Sequence, residues 1–263
     1  MIDLHTHLLG HMDRTATEAT VRVFLDQARA QGLREIGFSD HDYYEHAFNF
    51  DVIRMVARDY PDLKVRCGLE AEYRAGDEAR IAALIGRHTL DYVIGSVHEM
   101  DGWAFDSYDQ EEEHRGRKKD ETYRAYFRLV EKAAASGLFQ IIGHLDLIKL
   151  FGMRPESDVR DLAAPALEAI ARAGLCVEIN TNGRNKPVGE FYPEDKLVEE
   201  IARRGILFTL GSDAHDGSRV GADLGEAAAL LRSCGVQEVY GFARKQKIRY
   251  ALSGLLAPPG FLL

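Results

Sequence analysis

The sequence predicts an α/β protein with a parallel sheet and helices packed outside it. Two observations support this. Short runs rich in Val, Ile and Phe recur at intervals of some tens of residues, and most stretches between them carry apolar residues at helical spacing. Strand and helix alternate about seven times, the pattern of a parallel sheet with crossover helices. An open doubly wound sheet and a closed barrel both satisfy it. No Gly-rich dinucleotide turn follows the first strand, and the chain has no P-loop.

The elements follow in order. MIDLHTH (1–7) reads as the first strand. The first helix is predicted over 15–31. Thr15 and Glu18 form a capping box there, Val21, Phe24, Leu25 and Ala28 form one apolar face, and Gly32 is the stop. EIGFSDH (35–41), KVRCGLEAEY (64–73) and DYVIGSVHE (91–99) are the next strands, separated by helices over 50–60 and 77–88. DGWAFDSYDQEEEHRGRKKDE then breaks the rhythm. It is charged and weakly periodic, and reads as a solvated loop insertion at about 101–120, of the kind that forms active-site lids. Helices over 120–136, 160–173, 193–204 and 222–234 alternate with the strands FQIIGHLD (139–146), CVEINTN (176–182) and ILFTLGSDAH (206–215). Gly137, Gly174, Gly205 and Gly235 end those helices. EVYGFARKQ (238–246) fits either a short eighth strand or a lid-like tail.

With 263 residues, 46% of them hydrophobic, the chain is long enough for two small domains or one α/β barrel. Its net charge of −9 argues against a general nucleic-acid binder. Cys67, Cys176 and Cys234 are far apart in apolar contexts and read as reduced core residues. No apolar run is long enough to span a membrane, and the N-terminus lacks the features of a signal peptide. A cytoplasmic protein with no membrane partner is expected.

Six of the ten histidines end or nearly end the apolar runs: His5, His7, His41, His98, His144 and His215. In a parallel α/β fold the C-terminal ends of the strands share one rim, where ligands bind. Glu70 and Asp213 come with them. Imidazoles and carboxylates converging on one rim are a divalent-metal ligand set. A single HxH or GH would be weak evidence, but the repetition on strand after strand is specific. His46, His88 and His114 lie elsewhere and are expected to be ordinary solvated residues.

The order DxHxH, SDH, GxExEY, SVH, GHxD and SDAH resembles the polymerase-and-histidinol-phosphatase (PHP) phosphoesterases, over residues 3 to 215. GLEAEY, DYVIGSVHEMDGWAFD, GHLDLIK and EINTNGRNKPVGEFYP look most like the monofunctional histidinol-phosphatase branch. The resemblance implies one PHP domain over 1–263, a distorted (β/α)7 TIM-like barrel with its metal site at the C-terminal strand ends. It implies three divalent metal ions, with zinc, manganese and iron all compatible. His5, His7, Glu70 and Asp213 would hold the first. Glu70 would bridge to a second held by His98 and His144. His41 and His215 would hold the third with His11, Asp13 being the alternative. Asp3 would orient an imidazole, and Asp40, Glu72 and Asp146 would act similarly or make structural hydrogen bonds.

The chemistry implied is hydrolysis of L-histidinol phosphate, a small-molecule phosphate ester, by metal-bound hydroxide. No protein nucleophile is expected, and nothing pairs Ser212 with a base. The alternatives are another phosphorylated metabolite or nucleotide as substrate, or a metal-binding module without turnover. Arg184, Lys186 and Arg219 are the phosphate-clamping candidates. Relatives commonly read Leu-Arg-Lys-Pro where this chain reads Arg184-Asn185-Lys186-Pro187. Glu72, Asp42 and Asp101 are candidates for binding the substrate ammonium, and Trp103 or Phe105 for covering the site. Monomer and homo-oligomer both remain open.

Overall fold

The computed structural model describes residues 1–254. The chain runs β1 (Ile2–Thr6), α1 (Glu18–Ala30), β2 (Glu35–Phe38), α2 (Phe50–Ala57), β3 (Lys64–Cys67), β4 (Glu70–Glu72), α3 (Glu78–Arg87) and β5 (Ile94–Ser96). It continues through α4 (Glu111–Gly116), α5 (Lys119–Ala135), β6 (Ile141–Ile142), α6 (Val159–Ala173), β7 (Cys176–Asn180), α7 (Asp195–Arg203), β8 (Leu207–Gly211) and α8 (Leu224–Ser233). A hairpin of β9 (Glu238–Ala243) and β10 (Gln246–Ala251) follows. The fold is mixed α/β with parallel sheets. One sheet has the order β1-β2-β3 and the other β4-β5-β6-β7-β8, and all their pairings are parallel. Parallel bridges link the two sheets at both ends, from Thr6 to Ala214 and from His41 to Glu70. No helix among the described residues is long and apolar enough to cross a membrane.

The helices bury their apolar faces in a core shared with the strands. In α1, Val21, Phe24, Leu25 and Ala28 are buried as their spacing predicts. Each large apolar side chain so covered contributes roughly 1.5–3 kcal/mol. A second, inner cluster of Leu4, Tyr92, Ile94, Ile141, Cys176 and Phe242 lies where strands of both sheets and β9 meet. The Tyr92 ring fills space left by two glycines. A Cβ on Gly37 would lie 1.9 Å from the phenolic oxygen, and one on Gly68 2.3 Å from the ring. The phenol donates to the Leu4 carbonyl at 2.6 Å, which satisfies it in an apolar setting.

Several expectations need correction. The first helix starts at Glu18, not Thr15, because Thr17 caps it and pairs reciprocally with Thr20. KVRCGLEAEY is not one strand. It breaks at Gly68, against Tyr92, and its halves join different sheets. The charged 101–121 segment is not simply a loop. It contains α4 and the start of α5, and it buries Trp103, Phe105 and His114. His114 is therefore no solvated residue: one ring nitrogen is 2.7 Å from the Phe105 carbonyl, and its ring packs on Trp103. Trp103 and Phe105 are core residues and do not cover the site. The eighth-strand reading of 238–246 is half the answer, since β9 pairs antiparallel with β10. The cysteines are free, Cys67 and Cys176 buried and Cys234 partly so.

Candidate metal centre

β1 carries His5, and His7 follows one residue past its end, two residues on and so toward the same side. Thr6 faces the other way and donates to the Gly37 carbonyl at 2.9 Å. Because the strands are parallel, their C-terminal ends bring His41, His98, His144, Asp213 and His215 to the same rim. Glu70, at the start of β4, is the hub. Its Oε2 lies 2.8 Å from His41 Nδ1, 3.3 Å from His5 Nε2 and 3.6 Å from His7 Nε2. Its Oε1 lies 2.9 Å from His144 Nε2 and 3.4 Å from His98 Nε2. Asp213 Oδ1 is 3.1 Å from His7 Nε2 and 3.8 Å from His5 Nε2. The rings of His7 and His215 stack at 4.0 Å, and His11 lies against His215 at 4.4 Å.

These groups are buried in a way that hydrogen bonding alone does not account for. His5 Nε2, both ring nitrogens of His7, Glu70 Oε2, His144 Nδ1 and His215 Nε2 are buried with no well-aligned hydrogen bond. Leaving such atoms unsatisfied costs about 1–3 kcal/mol each. Potential ligand atoms gather in three overlapping triads: His5–His7–Glu70, His41–Glu70–His98 and His7–His41–His215. Nitrogen and oxygen donors in these sets fit divalent metals.

Electrostatics agree with that donor set. Burial opposes charge on Glu70 and Asp213, yet the surrounding imidazoles hold both carboxyls well below the usual range. Burial, with His215 and His41 beside it, pushes His7 far down, and burial pushes His215 down to about 4. Both are neutral at physiological pH, the state that ligates metal. Burial would also lower His5 and His98, but neighbouring carboxylates reverse it and raise both well above the usual imidazole value. For His5 these are Glu178, Glu70 and Asp213; for His98 they are Glu72 and Glu70.

Surrounding groups hold the cluster in place. Asp3 touches no imidazole ring, contrary to expectation. Its carboxylate accepts from Ser212 N at 2.9 Å, Ser212 Oγ at 2.6 Å and Gly221 N at 2.9 Å, which fixes the loop bearing Asp213. Asp40, pushed up to about 7 by burial, accepts from Leu9 N at 2.8 Å. Glu72 sits 2.5 Å from His98 Nδ1. Asp146 pairs with the buried Lys149 at 3.0 Å. Arg14 donates to the carbonyls of His7, Leu8 and His215, tying the two ligand loops together.

The residue that sequence reasoning missed is Glu178 on β7. Its Oε1 is 2.7 Å from His5 Nδ1, and its Oε2 accepts from His144 N at 2.9 Å. The signal was present: CVEIN places one acid inside a fully buried strand, and such an acid needs partners. Asn180 and Asn182 were missed as well; each amide donates to Asp213 Oδ2 at 3.3 Å.

The cluster opens into a cavity of about 410 Å³ lined by His11, Asp106, Tyr108, Asn182 and Lys186 among others. His11 is on its wall. Asp13 is exposed, and its carboxylate binds Arg14 and the His11 amide. Of the phosphate-clamping candidates, Lys186 lines the cavity. Arg184 instead pairs with Glu226 and lies over the Phe191 ring, and Arg219 faces Asp223. His46 is exposed, and His88 pairs with Glu45 at 2.9 Å. A larger groove of about 620 Å³ beside Arg154 and Glu190 contains none of these clustered histidines.

Comparison with known proteins agrees with this geometry. The PHP domain family model matches residues 3–182. A protein of Deinococcus radiodurans named "Probable histidinol-phosphatase" is 38% identical over 258 residues, covering 93% of this chain and 96% of that protein. The histidinol-phosphatase of Lactococcus lactis is 26% identical, covering 92% and 94%. The crystal structure of histidinol phosphate phosphatase from Lactococcus lactis, complexed with zinc, L-histidinol and phosphate, superposes with a TM-score of 0.77. It is 24% identical and covers 94% of this chain and 98% of that one.

Proposed function

Because the chain belongs to the PHP domain family, we propose that it is a metal-dependent phosphomonoesterase that hydrolyses L-histidinol phosphate to L-histidinol and phosphate. The observation that carries this reading is Glu70, a buried carboxylate with five imidazoles within 3.6 Å and an unsatisfied oxygen. Three divalent ions suit the donor set: one on His5, His7, Glu70 and Asp213, a second on Glu70, His98 and His144, a third on His11, His41 and His215. When bound, such ions make water nucleophilic at neutral pH and neutralise the phosphoryl oxygens.

The chain's own groups do the rest. Glu178 and Glu72 each face the far nitrogen of a ligand imidazole, which fixes ring orientation and raises basicity. Asn180 and Asn182 orient Asp213. Lys186 places a cation on the cavity wall, where a phosphate dianion would enter. We read residues 1–263 as one PHP domain and the bridged sheets as a distorted barrel. The bridges of Thr6 to Ala214 and of His41 to Glu70 support that closure.

A phosphate-release panel tests the function. Metal-loaded protein should hydrolyse histidinol phosphate far faster than sugar phosphates, nucleotides or phosphodiesters. Equal rates across the panel would remove the substrate and leave the chemistry. His98→Ala or Asp213→Ala should abolish activity while the fold survives; full activity in either would remove the site.

A further inference from the structure

We propose that Asp106 binds the cationic end of the substrate, in a side cavity opening off the metal centre; this rests on the phosphomonoesterase reading above. Two cavities share His98 and Asp106 on their walls. The larger, about 410 Å³, holds the ligand cluster and Lys186. The smaller, about 290 Å³, is lined on its far side by Asp42, Tyr43, Arg74, Arg80 and Glu99, and both of its arginines are paired with carboxylates.

Charge assigns the smaller cavity its ligand. Three of its carboxylates are committed. Asp42 binds Arg80 at 2.8 Å, Glu99 binds Arg74 at 2.8 Å, and Glu72 binds His98 at 2.5 Å. These pairings remove Asp42 and Glu72 as ammonium partners, and Asp101 is exposed and lines neither cavity. Asp106 is half-buried and makes no hydrogen bond or ion pair with any described residue. Its carboxylate thus stands unengaged at the junction of the two cavities. Beside it, Tyr43 stacks on His41 at 4.8 Å and keeps 54% of its surface exposed. An aromatic face next to an unpaired carboxylate suits a cation on a short organic chain, an ammonium or an imidazolium. An ester whose phosphate lies among the histidines and whose carbon chain passes His98 would bring such a cation to Asp106.

The test compares metal-loaded wild type with Asp106→Asn and Asp106→Ala. Substrates are histidinol phosphate and O-phosphoethanolamine, which carry an ammonium, and propyl phosphate, which does not. In the variants the ratio of kcat/KM for ammonium esters over propyl phosphate should fall roughly ten- to a hundredfold, mostly through KM, as expected for losing a charge-assisted contact. Melting temperature should hold, since no internal bond is removed. A ratio unchanged within about twofold, or a wild type that prefers propyl phosphate, would overturn the inference. A wild type that favours phosphoethanolamine and ignores histidinol phosphate would instead sink the proposed substrate, while the same ratio still tests Asp106.

Discussion

Glu178 Oε1 lies 2.7 Å from His5 Nδ1, while the other ring nitrogen, Nε2, lies 3.3 Å from Glu70. One carboxylate therefore fixes the tautomer and the angle of a buried imidazole. Through its other oxygen it also holds the backbone of His144.

Glu178 should accordingly control metal affinity without being a ligand. Glu178→Gln keeps an acceptor but removes the charge, and should weaken metal binding roughly 10-fold. Glu178→Ala should approach 100-fold, since it also frees the His144 amide. Competition with a chromophoric chelator measures both. Affinity equal to wild type in the alanine variant would show that His5 is oriented by packing alone.

Metal removal should destabilise the protein and take up protons. In the ion-free state His5 and His98 have pKa values raised well above the usual value, so both are protonated at neutral pH. That protonation stabilises the ion-free fold at low pH, and the stabilisation is lost as pH rises through the raised values. An ion must displace those protons, so metal affinity should rise with pH over the same window. Calorimetric titration in buffers of different ionisation enthalpy should report net proton release at pH 7 and less at pH 9. Melting temperature should climb with metal concentration. A titration with no proton release would contradict the charge states of both histidines.

The loop after β1 separates two candidate ligands. Both are exposed, but His11 lies on the cavity wall against His215, whereas Asp13 is engaged by Arg14. His11→Ala should lower bound metal by one ion in elemental analysis, with a large drop in kcat. Asp13→Ala should keep the full complement and most of the activity. The reverse result would transfer the role to Asp13.

The gathering of these residues was legible because strand periodicity and parallel topology together dictate where strand ends go. HxH at the end of β1 shares a side by the two-residue repeat, and each later His of the cluster follows an apolar run. Helix positions were equally readable from spacing and glycine stops. What stayed hidden depended on tertiary contacts. Nothing local to Asp3 distinguishes orienting a ring from anchoring Ser212, 209 residues away. Arg184 looked like a phosphate clamp because its partners Glu226 and Phe191 are remote or unremarkable in sequence. The 101–121 segment looked solvated because its buried groups are isolated in sequence and meet only in the fold: Trp103 packs on Phe105 and His114, and His114 on Phe151.

A glycine offers the last test of the same geometry. Gly211 ends β8 next to the cluster, and a Cβ there would lie 2.0 Å from Glu178 Oε1 and 2.6 Å from His5 Cβ. Neither neighbour has a free direction to yield, since both are fully buried. Gly211→Ala should therefore push Glu178 off His5 and lower metal affinity at least as much as Glu178→Gln, despite touching no ligand nitrogen. Gly86 in α3 is the control, because a Cβ there meets nothing within 4 Å. Gly86→Ala should raise stability by roughly 0.5–1 kcal/mol through helix propensity and leave metal binding unchanged. If Gly211→Ala behaved like Gly86→Ala, the close approach of β8 to Glu178 would play no part in building the site.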